Sequence, residues 1–133
     1  MKISDVSKKY DLSMDTLRYY ERIGLIPAVK RDQNGFRDYR EEDCKWIEFI
    51  MCMRSAGIPI ETLIEYVGLF QLGDKTAQAR KSILTDQREK IKEKIDELQA
   101  VLSKLDYKIS IYDDQLIKIE KSLALHSEKG NEI

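Results

Sequence analysis

The sequence has little cysteine or histidine and contains no long apolar run. Its two cysteines, Cys44 and Cys52, lie close together in one predicted helix, and its single histidine is His126. Such a pair provides no disulfide framework and is typical of a reducing compartment. No apolar run approaches the roughly 20 residues that cross a membrane, and the opening MKISDVSKKY lacks the apolar core of a secretory signal. We therefore expect a cytoplasmic protein.

The chain also lacks a large excess of positive or negative charge, because it has 23 Lys and Arg residues and 24 Asp and Glu residues. A protein of this composition that binds nucleic acid needs a local basic surface rather than bulk charge. Residues 1–40 supply a mild excess, with nine cations against six acids. The sequence also lacks a His/Ser/Cys constellation and a phosphate-binding glycine loop. We therefore expect no enzymatic activity and no cofactor.

Two short helices open the chain. The first is predicted over residues 3–10, and Ser13 is a good N-cap for a second helix from Met14 to about Ile23. If Leu17 points inward, Met14 and Tyr20 lie near the same side. The residues predicted on the opposite side are Asp15, Arg18, Tyr19 and Arg22. Two short helices around a tight turn, the second with Arg and Tyr outward, match the helix-turn-helix pattern.

A hairpin and two further helices complete the predicted N-terminal domain, residues 1–72. Asn34-Gly35 between strand-compatible segments is a strong hairpin signal, and a hairpin this short must lean on the helices as a wing. A third helix is predicted over 41–56 and a fourth from Pro59 to about Leu72. The fold class is therefore mainly α, a winged helix-turn-helix head followed by a long helix.

The long helix carries a heptad repeat, and neither proline nor glycine interrupts residues 75–129. One apolar row is Ile95, Leu102, Ile109, Leu116 and Leu123, and the other is Leu84, Ile91, Leu98, Leu105, Tyr112 and Ile119. This pattern predicts a dimerising coiled coil over 75–123, followed by a flexible tail over 124–133. The alternative is a long helix that lies on its own domain, although four short helices offer little surface to cover it. The pattern does not decide between parallel and antiparallel pairing.

Two motifs resemble the start of MerR-family regulators. They are the run Ser13-Met14-Asp15-Thr16-Leu17-Arg18-Tyr19-Tyr20-Glu21-Arg22-Ile23-Gly24-Leu25-Ile26-Pro27 and the wing Asn34-Gly35-Phe36-Arg37-Asp38-Tyr39. The resemblance implies a homodimer joined by an antiparallel coiled coil. It also implies double-stranded promoter DNA as a partner, which the dimer bends and untwists to realign the promoter elements for RNA polymerase.

The expected DNA-binding residues lie in the second helix and the wing. They are Ser13, Met14, Asp15, Thr16, Arg18, Tyr19, Tyr20, Arg31, Phe36, Arg37 and Tyr39. Arginine guanidinium groups and tyrosine hydroxyls suit phosphate contacts, which fix register without reading sequence. Base readout is expected from the exposed start of the second helix, around Met14, Asp15 and Thr16. Tyr20 also suits packing, and Phe36 stands where the family usually has tyrosine, so a hydroxyl contact is lost there.

The sequence offers few candidates for a sensor. Family metal sensors place cysteines near the end of the long helix, whereas no cysteine here follows Cys52, and we interpret His126 as part of the solvated tail, so no metal site is expected. Drug-sensing members append a large ligand domain, for which the ten residues after Leu123 leave no room.

Cys52 is the remaining candidate. The segment from Trp46 to Arg54 resembles the short subgroup that responds to aldehydes and other electrophiles through one cysteine in this helix. Taking Trp46, Ile50 and Met53 as the inward stripe places Cys52 at an edge, on the side of Lys45 and Glu48, where a nearby cation would favour the reactive thiolate.

Less specific interpretations stay open. Cys52 also suits a small packing residue, and Cys44, predicted off the main stripe, suits packing better than sensing. The protein is then a regulator with another inducer. A coiled-coil interaction module is the further alternative, favoured only by the heptads.

Overall fold

The computed structural model describes the backbone of residues 1–131 and the side chains of residues 1–125. It has five α-helices: α1 (Ile3–Tyr10), α2 (Met14–Arg22), α3 (Glu41–Ser55), α4 (Ile60–Gln71) and α5 (Ala77–Asn131). A single turn of 3-10 helix, Asp74–Thr76, joins α4 to α5. Over the described backbone no strand forms, and the wing contains one antiparallel bridge, between Arg31 and Arg37. The predicted mainly α class is confirmed.

Local hydrogen bonds set the ends of the short helices. The Ser13 hydroxyl accepts a bond of 3.0 Å from the Thr16 amide, as the N-cap prediction requires. At the start of α3, the Asp43 carboxylate accepts a bond of 2.8 Å from the Arg40 amide. After α2, Gly24 takes a φ of 83°, where a side chain would be strained, and the chain leaves the helix there.

The core of the head gathers one or more side chains from each of α1 to α4 and from the connecting segments. The buried apolar side chains are Val6, Leu17, Leu25, Ile26, Val29, Tyr39, Cys44, Ile47, Ile50, Ile58, Leu63 and Val67. The inward stripe predicted for α3 is therefore correct at Ile50 but wrong at Trp46 and Met53, which are only partly buried. Ile47 and Cys44 are buried instead. Apolar residues surround most of this helix, so periodicity alone does not fix its inward direction.

Trp46 packs instead in an aromatic cluster on the outer side of α3 and α4. Its ring centroid lies 4.9 Å from that of Phe70 and 6.1 Å from that of Tyr66, in edge-on geometry. Phe49 completes the cluster, 5.5 Å from Tyr66. These contacts hold α3 against α4 and explain why Trp46 is not the centre of the core face.

Thr76 organises the junction between α4 and α5. Its buried hydroxyl lies 2.6 Å from the Leu69 carbonyl oxygen and 2.7 Å from the Gly73 carbonyl oxygen, so its single proton is shared between them. The same hydroxyl oxygen accepts a bond of 3.0 Å from Nε of Arg80. The guanidinium of Arg80 also lies over the Phe70 ring, 5.4 Å from its centroid. These contacts of Thr76 and Arg80 fix the first turn of α5 on α4.

α5 is longer than predicted, because it continues past Leu123 to Asn131. The tail predicted over 124–133 falls partly outside the described residues, as do the side chain of His126 and residues 132–133. The chain divides into two compact units, residues 1–89 and residues 90–133. That division lies later than the predicted boundary at 72–75, because Arg80, Ile83 and Gln87 are partly buried within the first unit.

The heptad side chains of α5 are largely exposed in the single chain. From Ile95 onward each is at least half exposed, and Leu98 reaches 66%. Leu84 is 39% exposed and Ile91 is partly buried. No helix among the described residues is long and apolar enough to cross a membrane.

We expect Thr76→Val to lower the free energy of unfolding by about 1–3 kcal/mol, because the variant leaves two carbonyl groups and Nε of Arg80 without the hydroxyl. Urea denaturation at one fixed protein concentration measures the change. Thr76→Ser keeps the hydroxyl and serves as the control. Equal stability of Thr76→Val and Thr76→Ser would contradict this role.

Candidate nucleic-acid interface

The outer face of α2 presents the residues that the sequence predicted there. Arg18 and Tyr19 are exposed, whereas Leu17 is fully buried. Met14 is exposed rather than inward, and Tyr20 is partly buried. The start of the helix is therefore open to a ligand, and Tyr20 contributes to packing.

Four of the predicted contact residues in α2 and its N-cap already have local partners. The Ser13 hydroxyl caps the helix and lies 2.8 Å from the Thr16 hydroxyl. Nη1 of Arg18 lies 3.0 Å from Oδ1 of Asp15, in an ion pair open to solvent. An exposed pair of this kind is weak and exchanges readily for a phosphate contact.

The wing is a tight turn held by its own polar groups. Gly35 has a φ of 82° and its amide donates to the Asp32 carbonyl over 3.0 Å, while the Asp32 amide donates to the Phe36 carbonyl over 2.7 Å. The Asp32 carboxylate also accepts from the amides of Asn34 and Phe36. The geometry is that of a turn followed by a left-handed glycine. It leaves Phe36 68% exposed at the surface.

Arg37 is the cation of the wing that is tied to α2. Its Nε lies 2.6 Å from Oε1 of Glu21, and the two side chains are only 21% and 15% exposed. Oε2 of Glu21 also accepts a bond of 3.3 Å from the Val29 amide. Arg31, by contrast, is exposed and donates from Nη1 to the Gly35 carbonyl over 2.8 Å.

Tyr39 does not reach the surface, which contradicts its predicted contact with phosphate. The residue is 2% exposed, and its hydroxyl is buried without a hydrogen-bond partner among the described residues. Burial raises the pKa of Tyr39, and the nearby Glu21 adds to the effect while Arg37 opposes it. The sequence pattern assigned Tyr39 to the wing, but the direction of its ring depends on the packing of the head.

One groove brings the basic residues together. Its volume is about 280 Å³, and it is bounded by the start of α1, by α2 and by the wing. The lining residues are Lys2, Ile3, Ser4, Arg18, Arg31, Asp32, Phe36 and Arg37. Four cations and one carboxylate thus share a single groove, although the whole chain has a net charge of −1.

Sequence reasoning missed two residues of this surface. Lys2 counted only toward the general basic excess of residues 1–40, and the fold alone brings it beside the wing. Nothing in the sequence predicted that Glu21 contacts the wing, because an acid on a DNA-binding helix suggests a solvated residue.

The two cysteines differ in exposure. Cys52 is exposed, and its carbonyl oxygen accepts bonds from the Ser55 hydroxyl and the Ala56 amide near the end of α3. Cys44 is buried, which contradicts its predicted place off the inward stripe. The hydroxyl of Tyr10 donates to Oε1 of Glu48 over 2.7 Å, and burial, this bond and the adjacent Cys44 raise the pKa of Tyr10. The cation expected near Cys52 is not one helical turn away, since Lys45 lies two turns back and Glu48 occupies the intervening turn.

A pair of short helices, a wing and a basic groove define a winged helix-turn-helix DNA-binding protein. Residues 1–68 match the family described as MerR HTH family regulatory protein, and residues 45–107 match the family described as MerR, DNA binding. The chain belongs to the MerR family and is a DNA-binding transcriptional regulator, not an enzyme. The resemblance seen in the sequence is confirmed.

Individual relatives agree with this assignment. The HTH-type transcriptional regulator AdhR of Bacillus subtilis is 60% identical over 91 residues, which are 68% of this chain and 65% of AdhR. This chain therefore spans slightly less than two thirds of that relative. An uncharacterized HTH-type transcriptional regulator of Haemophilus influenzae is 31% identical over 124 residues, covering 93% of this chain and 87% of its own length.

Solved structures share the fold. A protein from Listeria monocytogenes, described as a MerR family transcriptional regulator, superposes with a TM-score of 0.86 at 46% identity, covering 92% of this chain and 93% of that one. HiNmlR, a MerR family regulator that lacks the sensor domain and was solved bound to promoter DNA, gives a TM-score of 0.75 at 29% identity, covering 85% and 90%.

We expect Tyr39→Phe to raise the free energy of unfolding by about 1 kcal/mol, because it removes a buried hydroxyl that has no partner. The same variant should leave DNA affinity unchanged. Urea denaturation and a duplex-binding titration measure the two quantities. A loss of DNA affinity would mean that the hydroxyl reaches phosphate after all.

The raised pKa of Tyr39 also predicts a dependence of stability on pH. The folded state holds this proton more tightly than the unfolded state, so the contribution is present below the unfolded pKa of about 10 and is lost as the pH rises above it. Tyr39→Phe should therefore lose less stability between pH 9 and pH 11 than the parent protein. Identical pH profiles would contradict the burial of this hydroxyl.

Proposed function

We propose that the protein acts in the cytoplasm as a homodimer whose two basic grooves clamp phosphates of one promoter. The observation that carries the proposal is the convergence of Lys2, Arg18, Arg31 and Arg37 on a single groove. Guanidinium groups match phosphate oxygens in geometry and keep their charge at every physiological pH. Such contacts position a protein on the duplex without reading sequence.

Other residues of the head complete the proposed contact surface. Tyr19 is exposed, and the guanidinium of Arg22 lies 5.4 Å from the centroid of the Tyr19 ring. The tyrosine hydroxyl supplies a further donor to phosphate. Met14 and Asp15 are exposed at the start of α2, where side chains reach base edges if the helix enters the major groove. Phe36 offers an apolar contact from the wing.

The exposed heptad face of α5 supports the homodimer. The residues concerned are Leu84, Ile91, Ile95, Leu98, Leu102, Leu105, Ile109, Tyr112, Leu116 and Ile119. A narrow apolar stripe of this length is buried by a second helix with the same period, and a second copy supplies one. The antiparallel arrangement follows from the resemblance to the family.

A dimer built in this way performs mechanical work on DNA. Phosphate clamps carry no base information, so their part of the selectivity depends on the distance between the two heads and on how easily the intervening duplex bends and untwists. Such a deformation changes the relation between the two promoter elements that RNA polymerase must engage together. We therefore propose regulation through promoter geometry.

Salt titration of duplex binding tests the clamp. The slope of log affinity against log salt should fall by about 1 for Arg18→Ala and by about 1 for Arg37→Ala, because each removes one phosphate contact. The probe is a duplex that the parent protein selects from a random pool. Arg88→Ala, on the exposed surface of α5 and paired with Glu89, is the matched control. Unchanged slopes for both groove variants would contradict the phosphate clamp. The heptad face would then be the main functional feature, which favours an interaction module.

A second function, electrophile sensing by Cys52, is supported by one specific observation. Cys52 is exposed whereas Cys44 is buried, so a reagent in solution reaches only one of the two thiols directly. Addition of the Cys52 sulfur to an aldehyde carbonyl forms a carbon–sulfur bond, and the carbonyl oxygen takes up the proton. The segment from Trp46 to Arg54 resembles the electrophile-responsive subgroup, which agrees with this choice.

Treatment with formaldehyde or methylglyoxal tests the sensor. We expect one adduct at Cys52 by mass spectrometry and a change in transcription from a reporter promoter. Cys52→Ser should abolish both, while Cys44→Ser should keep them. A full transcriptional response in Cys52→Ser would show that the protein responds to another inducer or through another residue.

A further inference from the structure

Glu21 is the acidic residue closest to the wing on the DNA-binding helix, and both of its carboxylate oxygens are occupied. Oε1 accepts a bond of 2.6 Å from Nε of Arg37, and Oε2 accepts a bond of 3.3 Å from the Val29 amide. The side chain of Glu21 is only 15% exposed. One carboxylate therefore joins α2 to the segment that leads into the wing and to the segment that returns from it.

The bond to Nε fixes the plane of the Arg37 guanidinium. A guanidinium is planar, so holding its Nε determines where both η nitrogens point. Among the described residues, the η nitrogens of Arg37 form no hydrogen bond, and Arg37 lines the basic groove. Arg18 and Arg31, in contrast, each use an η nitrogen in an exposed local contact.

We propose that Glu21 is a positioning residue for DNA binding, which holds Arg37 so that its two η nitrogens face a phosphate in the groove. The proposal rests on the groove being the phosphate clamp described above. Glu21 itself contacts no DNA and acts only through Arg37. The carboxylate also balances the charge of an arginine that is largely withdrawn from water.

The sign of the effect separates this role from simple electrostatics. A carboxylate beside a phosphate clamp repels DNA, so replacing Glu21 by glutamine should strengthen binding if charge alone matters. A positioning role predicts the opposite. Glutamine replaces one of the two acceptor oxygens of Glu21 by an NH2 donor, which meets either Nε of Arg37 or the Val29 amide, so the fixed orientation of Arg37 is lost. The loss of one ordered phosphate contact lowers the salt slope by about 1.

A double-mutant cycle in the full-length chain provides the test. We expect Glu21→Gln to weaken binding of the selected duplex about fivefold and to lower its salt slope by about 1. In the Arg37→Ala background the same substitution should leave affinity and slope unchanged, whereas in the Arg18→Ala background its effect should persist.

Glu48→Gln is the matched control. It makes the same change of charge on another hydrogen-bonded carboxylate, which binds Tyr10 away from the groove. Its DNA affinity should stay equal to that of the parent or rise slightly. Stability is measured in parallel for each variant, because a merely structural brace changes unfolding but not the salt slope.

The outcomes are distinct. If Arg37→Ala lowers the slope and Glu21→Gln does not, the positioning role is overturned while the clamp stands. If Arg37→Ala itself has no effect, the wing contact is wrong and the positioning role falls with it. If Glu21→Gln fails to fold, Glu21→Asp takes its place, because it keeps the charge but is one methylene too short to hold Nε. An unchanged salt slope in Glu21→Asp, with the Arg37 Nε proton no longer protected from solvent exchange, would then overturn the proposal.

Discussion

The wing is too short to hold its own shape, and this constraint governs the arrangement of the head. A hairpin with one bridge, Arg31 to Arg37, has too little pairing to be stable alone in water. It is held by the helices, through the Glu21 carboxylate on one side and through the buried ring of Tyr39 on the other. The same contacts that stabilise the wing bring Arg31 and Arg37 to the groove that Arg18 enters from α2.

The sequence predicted the features that depend on a few neighbouring residues. Ser13 caps α2, Asn34-Gly35 forms the wing turn, and the heptads lie on one long helix, because each is set by local hydrogen bonding or by periodicity. Features set by tertiary contact were not accessible in this way. The inward direction of α3 and the burial of Tyr39 depend on which neighbours each side chain meets in the folded head. The partner of Arg37 was missed because sixteen residues separate it from Glu21.

The charge distribution explains how a chain with net charge −1 presents a basic surface. Some acids of the head are engaged locally: Glu21 with Arg37, Asp43 with the start of α3, and Glu48 with Tyr10. Four cations and one carboxylate, that of Asp32, line the groove, and the amides of the wing turn occupy this carboxylate. Two of the cations, Arg18 and Arg37, are also paired with the acids Asp15 and Glu21, which are not among the lining residues. Ten of the other acids lie on α5, which carries eleven cations. The uneven placement of the cations in the fold, rather than overall composition, therefore makes the groove basic.

The scarcity of glycine and proline now has a structural meaning. Except for Gly130, all of them lie between Gly24 and Gly73. Gly68 lies within α4, and the others end α2, turn the wing, separate α3 from α4 and follow α4. Between residues 77 and 129 there is none, so α5 has no built-in hinge. In the proposed homodimer, phosphate contacts contribute selectivity through the spacing of the two heads, beside the base contacts proposed at the start of α2. Spacing carries information only if the connecting element is stiff. The uninterrupted helix and the basic groove therefore serve one requirement of that proposal, since the phosphate contacts distinguish between promoters only when the helix holds them at a fixed distance.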